Sequence, residues 1–140
     1  MELLIVTGMS GAGKTRALQN LEDMGYYCVD NLPPQLILYL LDAELSSGAP
    51  HDRTAVTIDI RSEKLLESAE HLTKSFSEKG IRARILYLDA ADEVLKNRYK
   101  ESRRLHPLIQ RGDVKTLAEA LRREREALAG IRSMADIILD

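Results

Sequence analysis

The sequence predicts an α/β fold: a three-layer, doubly wound sheet of five parallel strands. Two observations predict it. Short apolar runs recur at Leu3–Thr7, Tyr26–Asp30, Ala55–Ile60, Arg84–Leu88 and Ala135–Leu139, and such near-continuous apolarity suits parallel strands covered on both faces. Between them lie segments whose apolar residues recur at helical spacing. Strand–helix alternation of this kind implies right-handed βαβ crossovers.

Each element has local reasons. The first strand runs into the glycine-rich stretch "GMSGAGKT" (Gly8–Thr15). Lys14–Met24 then places Leu18, Leu21 and Met24 at helical spacing, and Gly25 can close that helix in the left-handed conformation. After the second strand, Pro33 and Pro34 suit a helix entrance, so "NLPPQLILYLLDAEL" reads as turn then helix. "SSGAPHDR" is a surface loop. Ser62 is placed to cap a helix whose Leu65, Ala69, Leu72 and Phe76 form one stripe, ending at Lys79-Gly80. Asp89 opens "DAADEVLKNRY" as the expected cap of the next helix, with Asp92 in its first turn. Asp113 or Thr116 starts the last helix, with Leu117, Leu121 and Leu128 inward, before the final strand pattern in "ADIILD".

A chain of 140 residues fits one domain, residues 1–140. A net charge of −2 exerts no global pull toward nucleic acid or an anionic membrane. Cys28, the only cysteine, has no partner for an intramolecular disulfide, and in "YYCV" it reads as a buried, inert thiol in a reducing compartment. "MELLIV" carries an acid where a secretory signal needs basic residues. "LILYLL" is far shorter than the ~20 residues a membrane helix needs. The expected location is the cytoplasm, with no membrane partner. His51, His71 and His106 are scattered without ligand spacing, so no zinc site is expected.

Gly8–Thr15 spell G-x-x-x-x-G-K-[ST] between an apolar strand and an amphipathic helix, the context that identifies a phosphate-binding P-loop. The candidate nucleotide-binding residues are Gly8, Met9, Ser10, Gly11, Ala12, Gly13, Lys14 and Thr15. Glycines leave backbone N–H groups open to an anion, and the helix N-terminus points at it. Lys14 is placed to reach the β- and γ-phosphates, and the Thr15 hydroxyl to ligate Mg²⁺. The fold class is therefore that of a P-loop NTPase of the nucleotide-kinase-like type, whose strand order 2-3-1-4-5 sets strand three beside strand one. That order favours Asp59, in "AVTIDIR", over Asp89 as the second acid on the metal side. Asp30, at the end of the second strand, is placed either to orient or deprotonate an acceptor or simply to make an Asp-Asn turn. Lys14, Asp59 and Asp30 are the candidate catalytic residues, and Arg61 is placed to hold a second phosphate.

"KNRYKESRRLHPLIQR" holds six Lys or Arg and one Glu. Arg98, Arg103 and Arg104 are its lid candidates, because the planar guanidinium bonds phosphate oxygens bidentately. Tyr99 is its only base-stacking aromatic, which argues against an RNA patch. No N-K-x-D or D-x-x-G motif follows the loop, which argues against a Ras-like GTPase with strict guanine selection.

Taken together, "GMSGAGKT", "LEDMGYYCVDNLPP", "IDIRS", "LYLDAADEVLKNRYKESRRLHPL" and "ADIILD" resemble, in this order, the RapZ/YvcJ family of P-loop nucleotide-binding proteins. "VDNLPP" and "RRLHPL" carry the specificity of the match. The chain has Thr15 where the family usually has Ser, and "ESRR" where it has "ETRR"; both keep the chemistry. The resemblance implies ATP- and GTP-type segments at Gly8–Thr15 and at Asp59, Ile60, Arg61 and Ser62. It also implies weak, Mg²⁺-dependent ATP or GTP hydrolysis in a regulatory role. For full-length members it implies an adapter that presents a small regulatory RNA to a ribonuclease. The family continues into a second, C-terminal domain, so residues 1–140 are expected to be the N-terminal domain of a longer protein. A small-molecule kinase using Asp30, Arg61 and the lid is the alternative. The oligomeric state is left open.

Overall fold

A computed structural model describes residues 1–48, 50–58, 65–102, 105–112 and 114–140. The elements run β1 (Glu2–Gly8), α1 (Lys14–Asp23), β2 (Tyr27–Leu32), α2 (Pro34–Ser46), β3 (Arg53–Ile58), α3 (Leu65–Glu78), β4 (Arg82–Leu88), α4 (Asp92–Ser102), α5 (Pro107–Gln110), α6 (Leu117–Met134) and β5 (Ile137–Leu139). The five strands form one sheet in the order β2-β3-β1-β4-β5, and every pairing is parallel. This is the expected α/β architecture and strand order.

Strand alternation divides the interior in two. Leu3, Ile5, Ile85 and Tyr87 face a large cluster with Ile37 and Leu41 of α2, Phe76 of α3, Leu95 of α4, and Leu121, Leu128 and Ile131 of α6. Val6, Leu86 and Leu88 face the other side, where Ala17 and Leu21 of α1 pack with Leu4. Beside α1 the sheet leaves an apolar groove walled by Leu4, Leu21, Leu86, Ile137 and Leu139. None of the described helices is long and apolar enough to cross a membrane.

Local signals read from the chain recur with small shifts. Gly25 ends α1 at φ 96°, and the Tyr26 amide donates back to Leu21 O at 3.0 Å. Pro33 stands at the N-cap of α2. The Thr116 hydroxyl caps α6 by accepting from Glu119 N at 3.2 Å. Met24, which continues the helical spacing of Leu18 and Leu21, is 62% exposed, because α1 ends at Asp23 and Met24 is its C-cap. Asp89 does not cap the helix after it: α4 begins three residues later, at Asp92, and arginines of α6 hold the Asp89 carboxylate. Cys28 is half-buried. Burial and then the nearby Glu22 carboxylate push its thiol up, disfavouring the reactive thiolate.

Candidate functional site

The strand order turns at β1, with β2 and β3 on one side and β4 and β5 on the other. Open α/β sheets bind ligands beyond the carboxyl ends of their strands at such a point. The loop Gly8–Thr15 lies there. At Gly8 (φ 140°) a Cβ would stand 2.0 Å from the Leu88 carbonyl oxygen, so only glycine lets β1 run this close to β4.

The first half of the loop is bonded inward. The Met9 amide donates to Leu88 O at 3.1 Å, and the Ala12 amide to Met9 O at 3.1 Å. The Ser10 amide donates to Glu124 Oε1 at 2.6 Å, and its hydroxyl to Glu124 Oε2 at 2.7 Å. Arg98 of α4 donates from Nη1 to Gly11 O at 2.7 Å. Lys14 donates from Nζ to Gly8 O at 3.2 Å, folding its side chain along the loop.

The second half presents a bare helix end. Gly13, at φ 99°, is the N-cap of α1; no side chain caps the helix, and its first turn holds no acidic residue. An uncapped N-terminus leaves main-chain donors and the positive end of the helix dipole for an external anion. It opens on a cleft of about 410 Å³ walled by Gly11, Gly13, Arg16, Asn20, Leu88 and Arg98. Thr15, in the first helical turn, is exposed.

The structure thus brings Gly8, Met9, Ser10, Gly11, Ala12, Gly13, Lys14, Thr15 and Arg98 together. Asp59, Ile60, Arg61 and Ser62 follow β3, the strand paired with β1, but they lie outside the described residues, as do Arg103 and Arg104. Asp30 is farther off, since β3 separates β2 from β1; two strand spacings make roughly 10 Å. It sits in a register shift between Val29 and Leu32. There Thr57 Oγ1 donates to Asp30 Oδ1 and accepts from the Asn31 amide. Asn31 is the only non-glycine described residue at positive φ, 57°.

Sequence reading missed the polar cluster beneath the loop. Glu124 is 1% exposed and His106 fully buried, with His106 Nε2 3.1 Å from Glu124 Oε2. That contact is close but poorly aligned, for Nε2 makes no directed hydrogen bond. Since Nδ1 accepts from the Leu108 amide at 3.1 Å, the ring proton belongs on Nε2, facing the carboxylate. The Tyr99 ring lies 5.5 Å from that of His106. Burial, and then the Glu124 carboxylate, push the Tyr99 phenol up to about 12. The overlooked signal is periodic: Glu124 occupies the apolar stripe 117, 121, 124, 128, 131 of α6, where an unpaired acid does not belong.

Asp89, set aside as the metal-side acid, has both oxygens engaged: Oδ1 by the Ala90 amide and Arg125, Oδ2 by Arg132. Among the described residues no group of three His, Cys, Asp or Glu could hold a metal ion.

The family model described as the RapZ-like N-terminal domain matches residues 1–140. A "Nucleotide-binding protein" of Dictyoglomus thermophilum is 43% identical over 139 residues, covering 99% of this chain and 47% of that relative. One of Desulforamulus reducens is 46% identical over 138 residues, covering 99% of this chain and 45% of that relative. The chain therefore spans about half the length of the curated relatives it matches. Among solved structures, APE1195 superposes with a TM-score of 0.55 at 15% identity, covering 99% of this chain and 84% of that one; this is a likeness of fold.

Proposed function

Since the chain belongs to the RapZ-like N-terminal domain family, we propose that it binds ATP or GTP with Mg²⁺ and slowly hydrolyses the bound nucleotide in a regulatory role. The observation that carries the reading is the uncapped, acid-free start of α1 behind Gly13, at the carboxyl end of β1. A polyphosphate supplies the acceptors which that helix end lacks. The relatives' shared name, "Nucleotide-binding protein", supports the same ligand class.

In this reading the main-chain donors around Gly13 hold the phosphates, and Lys14 swings from Gly8 O to neutralise their charge. Arg98, whose fork has donors beyond the one given to Gly11 O, closes the cleft from α4. Mg²⁺, when bound, would neutralise phosphate charge. The exposed Thr15 hydroxyl fits it, and Asp59 is the proposed acid behind it. A cation carried mainly by nucleotide phosphates needs only one or two protein ligands. Water takes the phosphoryl group, with Asp30 as the candidate acid for positioning it. The small-RNA and ribonuclease partners belong to the proposal for a full-length protein. The second reading, a small-molecule kinase, is favoured by the irregular end of β2, where a register shift with Asn31 at φ 57° sets Asp30 near the carboxyl end of the sheet.

The test follows γ-labelled ATP and GTP with Mg²⁺ and a metabolite mixture. Label should appear slowly as free phosphate; label on a metabolite would make the protein a kinase. Lys14→Ala removes a charge-assisted contact of roughly 1.5–3 kcal/mol, so nucleotide affinity should fall about 10- to 150-fold. Unchanged affinity would remove Lys14 from the site.

A further inference from the structure

Three consecutive residues of the loop are held by three elements distant in sequence. Met9 is tied to β4 through its amide, Ser10 to α6 through Glu124, and Gly11 to α4 through Arg98. Tyr99 also presses on Gly11, where an added Cβ would lie 3.3 Å from its ring. The Ser10–Glu124 clamp is the unusual member. It spends a fully buried carboxylate on a position of α6 where an apolar side chain would pack, and burying a charge is costly unless hydrogen bonds satisfy it. Here they do. One oxygen takes a main-chain donor, the other takes a hydroxyl and faces His106.

The clamp also decides which loop donors remain for a ligand. The Ser10 amide is already given to Glu124, whereas the start of α1 behind Gly13 carries no side-chain cap and leaves its donors to a ligand. The same carboxylate abuts His106 of the "RRLHPL" segment, so one side chain packs between the loop and that segment.

We propose that Glu124 is the positioning residue of the phosphate loop, holding Ser10 through backbone and side chain so that the loop is in its phosphate-binding shape before nucleotide arrives. Glu124 itself touches no phosphate. The inference rests on the nucleotide reading above. Its expected size follows from the ordering cost removed: fixing one residue's backbone in advance is worth roughly a factor of ten in affinity.

The experiment measures Mg²⁺-ATP and Mg²⁺-GTP affinity by calorimetry, urea unfolding, and amide exchange across Gly8–Thr15. The variants are Glu124→Gln, Ser10→Ala, their double, and Ile131→Val, which trims the core on the same helix. Glu124→Gln keeps the shape but places amide hydrogens against the Ser10 hydroxyl and His106. It should weaken nucleotide binding about 10-fold and speed amide exchange in the loop of the nucleotide-free protein. Ser10→Ala should weaken binding about threefold, and the double variant should lose less than the product of the singles, since both act through one clamp. Ile131→Val should lower stability and leave affinity unchanged. Should Glu124→Gln lower stability while affinity and loop exchange stay at wild-type values, Glu124 is only a packing residue and the proposal fails. Should Glu124→Gln not fold, Ser10→Ala decides alone, and wild-type affinity and exchange in that variant overturn the proposal. Wild-type protein that binds neither nucleotide sinks the nucleotide reading and this inference with it. Binding that Glu124→Gln leaves intact sinks only the inference.

Discussion

At Gly8 a methyl group is excluded twice, by a backbone φ of 140° and by the Leu88 carbonyl oxygen 2.0 Å from where its carbon would stand. Neither is the far end of a flexible side chain, so β1 and β4 must separate to admit it. Gly8→Ala should cost about 3 kcal/mol in urea unfolding. Gly13 provides the contrast: its φ is 99°, but nothing lies within 4 Å of an added Cβ. Gly13→Ala should cost only the left-handed strain, about 1 kcal/mol. It should harm nucleotide affinity more than stability, because Gly13 lines the cleft at the head of α1. The glycine spacing of the loop was plain in the sequence, whereas the different duties of Gly8 and Gly13 depend on which backbone lies opposite each.

Among elements, α6 is tied to the sheet by charge as well as by its apolar stripe. Arg125 spans Asp89 at 2.8 Å and Asp92 at 2.7 Å, and Arg132 reaches Asp89 at 3.4 Å. Burial alone would raise the Asp89 pKa. Hydrogen bonds from Arg125 and the Ala90 amide, the Arg125 charge and Arg132 outweigh it and hold the carboxyl below its usual value. A folded-state pKa below the unfolded one means that stabilisation is full above the unfolded value, ~3.9, and is lost as pH falls through the folded one. Between about pH 6 and about pH 3, wild-type protein should therefore lose more stability than Asp89→Asn, as read from urea midpoints. Parallel midpoints would place the acid sensitivity elsewhere. Asp89 shows the limit of local reading. "LDAADE" has the letters of a helix cap, but the arginines that claim the carboxylate come from a helix more than thirty residues away. Glu124 shows the same limit from the other side, since its partner, Ser10, lies 114 residues away.

For the whole molecule, the proposed ligand is a stability term. Nucleotide that binds only the folded chain at 100 times its dissociation constant adds about 2.7 kcal/mol. For a domain of this size that raises Tm by roughly 10 °C. Mg²⁺-ATP or Mg²⁺-GTP should give such a shift in a thermal melt, and Lys14→Ala should erase most of it at the same concentration. A melt indifferent to both nucleotides would contradict the proposed function.

The sequence by itself determined the alternation of strands and helices, the strand order through the fold class, the phosphate loop and the family resemblance. These are written in local spacing: apolar runs, capping residues, and glycines where the chain turns toward an anion. Only the tertiary structure decided what the polar side chains do. It joined Glu124 to Ser10, gave Asp89 to Arg125 and Arg132, set Arg98 on Gly11, and left Asp30 two strands from β1. The reason is physical. Backbone geometry answers to neighbours a few residues away, whereas a buried charge answers to whatever donors the folded chain brings within three ångströms, and those come from anywhere along it.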